Sequence, residues 1–217
     1  MVHYLIGNLG HLMIILSLVT AFVSFIAYFK AVQMNNLAWE RYANWIYYVH
    51  VLSLIGVLTL LFLIINKHYF EYHYAWNYSS KYLPIYYQIS SFWNGQEGSF
   101  LLWMFWNAML GLVLIKTNKF WKSSVMAVMT FTQFCLTTLI LGVVIFDLKI
   151  GSSPFLLLRD VVQDSVFVIN PEFIPEDGNG LNPLLQNYWM VIHPPTLFLG
   201  FASTPLRVRK VEYKISK

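Results

Sequence analysis

Apolar residues gather into four runs without Asp, Glu, Lys or Arg, at 5–29, 46–65, 99–115 and 123–146. Each has the length, about 17–25 residues, at which a helix crosses a hydrocarbon core. Lipid offers a backbone no hydrogen-bond partners, so runs of this kind must be helices. The pattern predicts an all-α polytopic membrane protein with four complete transmembrane helices. Two long polar-to-aromatic loops, 66–98 and 147–196, separate them, and the apolar residues near 196–202 read as the stub of a fifth helix. The first run has no basic leader, exceeds a signal-peptide core in length and is followed by no small-x-small cleavage site, so it is expected to be retained.

Composition points the same way. The chain is 58% hydrophobic and 11% charged, where a soluble domain carries about 25% charged residues. Charge then sets an expected orientation, because short cytoplasmic loops collect Lys and Arg. Lys30, Arg41, Lys116, Lys119 and Lys122 fall in the short segments 30–45 and 116–122, opposed by Glu40 alone. The long loops hold Lys67, Lys81, Lys149 and Arg159 against Glu71, Glu97, Asp147, Asp160, Asp164, Glu172, Glu176 and Asp177. The long loops and the N-terminus are therefore expected outside. The net charge of +4 is inner-leaflet basicity plus a basic tail, which argues against a nucleic-acid partner and for the lipid bilayer. Cys135 lies alone in the fourth run, and no C-x-x-C-H haem-attachment motif is present.

Loop 66–98 is dense in Tyr and Trp, which favour the headgroup level. It reads either as an interfacial belt or as a wall over a flat hydrophobic ligand. In loop 147–196, turn signals at 151–154, 170–171 and 177–180 bracket 161–169, a short strand or surface helix. A loop of this length is usually functional or disordered, and its apolar content argues against disorder.

Candidate chemistry concentrates in two stretches. In "NYWMVIHPPTLFLGF" (187–201), His193 precedes Pro194 and Pro195. Prolines suit a helix's first turn and push the preceding residue toward extended backbone, so His193 is expected extended, at the outer mouth of a helix. It reads as an imidazole ligand or as a helix-entry histidine bonded to a loop carbonyl. In "FWNGQEGSFLLWMFW" (92–106), Gly95 and Gly98 allow a tight turn around Glu97, and Ser99 is the expected helix cap. Glu97 suits a helix N-terminus or a partner group outside. Trp93 and Trp103 offer flat faces to a porphyrin or simply to the interface. His68, Glu71 and His73 lack a clean metal-ligand register. His11 and His50 are polar groups within or near spanning runs, which usually face the bundle interior.

The stretches "YSSKYLPIYYQISSFWNGQEGSFLLW" (78–103) and "GLNPLLQNYWMVIHPPTLFLGF" (180–201), with "GNLGHLMIILSL" (7–18), resemble the N-terminal part of the cytochrome c biogenesis haem-handling, or haem lyase, family of CcmF/CcsA type, closest to its CcmF branch. The resemblance runs from 7 to about 201. It implies a bacterial cytoplasmic-membrane protein that takes haem b as substrate from a haem chaperone. The haem is ligated to apocytochrome c outside, among other cytochrome c maturation membrane subunits. By the same resemblance His193 is the axial ligand to haem iron, and Trp93, Glu97 and Trp103 are candidates for the haem-side surface. No catalytic residue is assigned.

Parts of the family pattern lie beyond 217: the W-x-W-D-P segment, a second external histidine and a transmembrane histidine pair. Neither His11 nor His50 takes that last role. After Ala202 the sequence turns into a basic segment, 203–217. A truncation, a frameshift, or one piece of a split protein with a missing C-terminal part is therefore expected, inactive as a haem lyase alone. Two other classes remain: a membrane scaffold that docks partners through its aromatic loop, and an ion-pathway subunit. No acid within a spanning run supports the latter.

Overall fold

The structure, a computed structural model, describes residues 2–117, 121–146 and 148–215. Lys119, Asp147 and Lys217 from the charge balance lie outside them. In chain order the helices are α1 (Tyr4–Met34), α2 (Leu37–Asn66), α3 (His73–Tyr78), α4 (Ile85–Ser90), α5 (Gln96–Thr117), α6 (Lys122–Leu141), α7 (Leu158–Val161), α8 (Ser165–Ile169) and α9 (Tyr188–Ile215). Strands β1 (Val143–Ile145) and β2 (Leu148–Ile150) form a small antiparallel hairpin between α6 and α7. Among the described residues α1, α2, α5 and α6 are long and apolar enough to cross a membrane.

Helix α1 packs between α2 and α6, and α5 closes the group against α6 and α9. The buried stripe of α1 is Gly7, Gly10, Ile14, Ser17, Ala21, Ser24, Tyr28 and Ala31, alternating steps of three and four residues. Mostly small side chains there let backbones approach, as helix packing in lipid requires. The opposite face exposes Leu12, Ile15, Val19, Phe22, Ile26 and Phe29, which suits contact with acyl chains. At one end of the bundle Glu40 of α2 pairs with Lys122 of α6 at 2.6 Å and accepts from the Ser123 hydroxyl at 2.6 Å.

Two boundaries differ from the sequence reading. Segment 30–45 is almost entirely helical. The turn is only Asn35, left-handed at φ 46°, and Asn36, whose side chain accepts from Ala38 N. Asparagine tolerates that backbone, whereas Trp, Tyr and Arg continue a helix without cost to it. Residues 143–146 are not helical. Gly142 takes φ 74° and ends α6, and the β-branched Val143-Val144-Ile145 then forms β1. Of the two readings left open for 161–169, a short strand or a surface helix, the helix is the one found: α7 ends at Val161 and α8, with no buried residue, fills Ser165–Ile169.

The two long loops are ordered and share one end of the bundle. Leu158 N donates to Glu71 O at 2.7 Å and His73 N to Leu156 O at 2.9 Å. Asn179 N donates to Trp76 O at 2.7 Å and Gly180 N to Ser79 O at 3.1 Å. Asp177 clasps the first loop: its carboxylate accepts from Ser80 Oγ, Lys81 N and its neighbour Gly178 N, each within 2.9 Å. Burial pushes this carboxyl up, but the bonds and the Lys81 charge outweigh that and hold it below the usual value. A depressed carboxylate stabilises the fold above its unfolded pKa and loses that contribution as pH falls through the folded value. Hydrogen exchange at Lys81 and Gly178 is therefore expected to stay slow at neutral pH and accelerate as pH drops below the ordinary carboxylate range, after correction for intrinsic rates. Unchanged protection at acid pH would remove the clasp from the account.

Candidate functional site

The two candidate stretches meet. Gly95 and Gly98 allow the chain to fold tightly between a 3-10 turn at Ser91–Trp93 and α5. Tyr74 of α3 holds this turn from inside: its hydroxyl donates to Phe92 O at 2.8 Å and accepts from Gly95 N at 3.2 Å. Burial, then the nearby Glu97 charge, raises the Tyr74 pKa well above its ordinary value, so the hydroxyl stays a donor. Ser99 does not cap the helix. It lies within α5, which starts at Gln96, and its hydroxyl donates to Trp93 O at 2.9 Å. Tyr74→Phe is expected to cost about 1–3 kcal/mol by leaving buried backbone groups unpaired. Thermal unfolding in detergent measures this, and an unchanged midpoint would contradict it.

Trp93, half-buried, faces α9 and donates from Nε1 to Met190 O at 2.9 Å. That bond explains how the helix accommodates Pro194. In an α-helix the N–H of residue 194 would bond to the carbonyl of residue 190; proline has no N–H, and Trp93 satisfies the freed oxygen. The same device recurs at Pro205, where the Thr204 hydroxyl donates to Phe201 O at 2.8 Å. The helix starts earlier than the prolines suggest because Asn187 Oδ1 accepts from Met190 N at 3.1 Å, a side-chain cap. His193 is consequently helical, in the second turn of α9, and not extended at its mouth.

The His193 ring is exposed and makes no hydrogen bond among the described residues, so the loop-carbonyl reading has no support. One side of its helix is anchored at Met190 by Trp93. Farther along, Trp103 packs against Phe198 and Phe201, with ring centroids 6.4 and 5.7 Å away. The structure thus brings Trp93 and Trp103 to the helix that carries His193. Glu97 sits half-buried in the first turn of α5, near enough to act on Tyr74 and Tyr78. An apolar cleft of about 360 Å³ also touches this turn, lined by Leu58, Phe62, Ile89, Phe92, Trp93 and Phe105.

The remaining histidines are placed elsewhere. His68 takes φ 55° and faces Gln88, Nε2 to Nε2 at 3.3 Å; burial lowers its pKa, with Asp177 opposing. Glu71 is buried and held by His3 Nδ1 at 2.7 Å. His73 packs beside Trp76. Among the described residues no three metal-binding side chains converge. His11 meets the Ser153 hydroxyl at 3.4 Å, and His50 is fully buried in the bundle. The sequence reading missed Tyr74, Asn187 and the Met190 carbonyl. Only the paired glycines hinted that something large presses on the turn.

The model of the family described as Cytochrome C assembly protein matches residues 93–206, the stretch from Trp93 through His193. The chain is 30% identical over 204 residues to the cytochrome c-type biogenesis protein CcmF of Pseudomonas aeruginosa, covering 91% of this chain and 28% of that protein. It is 31% identical over 199 residues to CcmF of Pseudomonas fluorescens, covering 90% and 27%. A solved structure of the cytochrome c haem lyase CcmF superposes with a TM-score of 0.66 at 20% identity, over 94% of this chain and 29% of that one. The chain thus spans about 28% of the length of such a relative. Apolar spanning helices, the order of the two motifs and the fold agree with the family model over more than half the sequence: this chain is a multi-pass membrane protein of the cytochrome c assembly family.

Proposed function

We propose that the chain acts in cytochrome c-type biogenesis by holding haem b, as substrate, against the outer end of α9, with His193 as axial ligand to its iron. The carrying observation is the His193 imidazole itself: exposed, without a hydrogen bond among the described residues, and on a helix anchored by Trp93 and Trp103. Neutral imidazole is an established axial donor to haem iron. Trp93 and Trp103 position the ligand's helix, and their remaining faces with Glu97 form the haem-side surface. Anchoring a ligand on a helix limits its motion better than a loop does.

The charge balance supports a bacterial cytoplasmic membrane orientation with the N-terminus, both long loops and His193 outside. There the haem would arrive from a haem chaperone and pass to apocytochrome c. The other maturation subunits, and a part corresponding to the remaining length of the relatives, complete the assembly. A visible absorption spectrum of the chain purified in mild detergent tests this. A haem band present in the wild type and lost in His193→Ala supports the ligand. An equal band in both would refute His193, and co-purification of partners without haem would favour a scaffold.

A further inference from the structure

A polar layer lies inside the bundle. His50 is fully buried on α2. Its Nδ1 lies 3.0 Å from the Ser17 carbonyl oxygen of α1 and 3.2 Å from the Ser17 hydroxyl. A carbonyl only accepts, so Nδ1 carries the hydrogen, and in a neutral ring Nε2 is left as a bare acceptor. Gln133 of α6, also fully buried, approaches the same imidazole. Its Nε2 donates to Met104 O of α5 at 2.9 Å. Flipping the amide would set two oxygens against each other, so Oε1 is the free atom.

His50 Nε2 and Gln133 Oε1 are both buried without a partner. Two acceptors cannot satisfy one another. Asn107 of α5 belongs to the same layer: it lies between Met104, which Gln133 holds, and Ala108, whose carbonyl accepts from Tyr47 at 3.2 Å. The Tyr47 ring in turn lies 5.9 Å from that of His50. Asn107 is fully buried, with both carboxamide atoms unpartnered. Three acceptors, His50 Nε2, Gln133 Oε1 and Asn107 Oδ1, and one donor group, Asn107 Nδ2, are thus unpartnered; a water, which gives two hydrogens and accepts from an amide N–H, serves the first two acceptors and the donor.

We propose that this layer is an internal hydration site. One water donates to His50 Nε2 and to Gln133 Oε1, and accepts from Asn107 Nδ2. The water turns opposed acceptors into a bridge between α2 and α6, with α5 steadying it. The competing arrangement moves the hydrogen to Nε2 for a direct bond to Gln133 Oε1; the ring stays neutral and Nδ1 accepts from the Ser17 hydroxyl, but it then faces the Ser17 carbonyl oxygen at 3.0 Å without a hydrogen.

Nitrogen and proton NMR of the full chain in detergent, labelled at histidine, distinguishes them. The His50 signals are those lost in His50→Asn. At neutral pH the expected result is a hydrogen on Nδ1, none on Nε2, and magnetisation transfer from water to the ring C–H groups flanking Nε2. Gln133→Met, checked for helicity by circular dichroism, should abolish that transfer and keep the Nδ1 hydrogen. A hydrogen on Nε2, with or without one on Nδ1, or no water transfer in the wild type, would overturn the proposal.

Discussion

Gly98→Ala is expected to destabilise the chain by about 4 kcal/mol, combining overpacking with the loss of buried hydrogen bonds. A Cβ at Gly98 would overlap the Phe92 carbonyl oxygen and the Tyr74 hydroxyl. The first is backbone and the second is fixed by its own bonds, so neither yields cheaply. The whole turn that delivers Trp93 to α9 depends on this contact. Thermal unfolding followed by helical circular dichroism in detergent measures the effect. A midpoint like that of the wild type would mean the turn is not packed as described. At Gly200 of α9 a Cβ would meet nothing within 4 Å, so the same added methyl is tolerated there.

The second large effect is on the ligand. His193→Ala is expected to lower haem affinity by on the order of 100-fold or more, since even outer partners of metal ligands are worth about 10–100-fold. Trp93→Phe keeps an aromatic ring but leaves Met190 O without its donor, so it should lower affinity less and broaden the haem band by loosening α9. Titration of haem into each purified variant gives both values. An equal loss in the two would make His193 no more than another packing residue.

These effects show where sequence was informative. Runs without charge located α1, α2, α5 and α6, because in lipid apolarity and helicity are nearly the same requirement. Their ends were less visible, since hydropathy says nothing about backbone angles. Asn35 and Gly142 stop helices through left-handed φ values, inside stretches that remain apolar or aromatic. The joining of the two long loops was not legible at all, because backbone bonds such as Leu158 N to Glu71 O leave no side-chain signature.

The site was half legible. His193 stood out, and the role proposed for it comes from the resemblance. Its backbone was misread because Pro-Pro reads locally as a helix start. What permits Pro194 inside α9 is an indole from Trp93, far away in sequence, and the helix starts from a cap at Asn187, ahead of His193 by more than a turn. The local rule was outweighed by a long-range hydrogen bond that no short window contains.

Ligation of haem by His193 is tested most directly by chemical rescue. Ferric haem is added to the His193→Gly chain in mild detergent, and the visible spectrum is recorded before and after free imidazole. The wild-type band should be absent before the addition and restored by imidazole occupying the space of the lost ring. A wild-type band in His193→Gly without imidazole would place the ligand elsewhere and contradict the account.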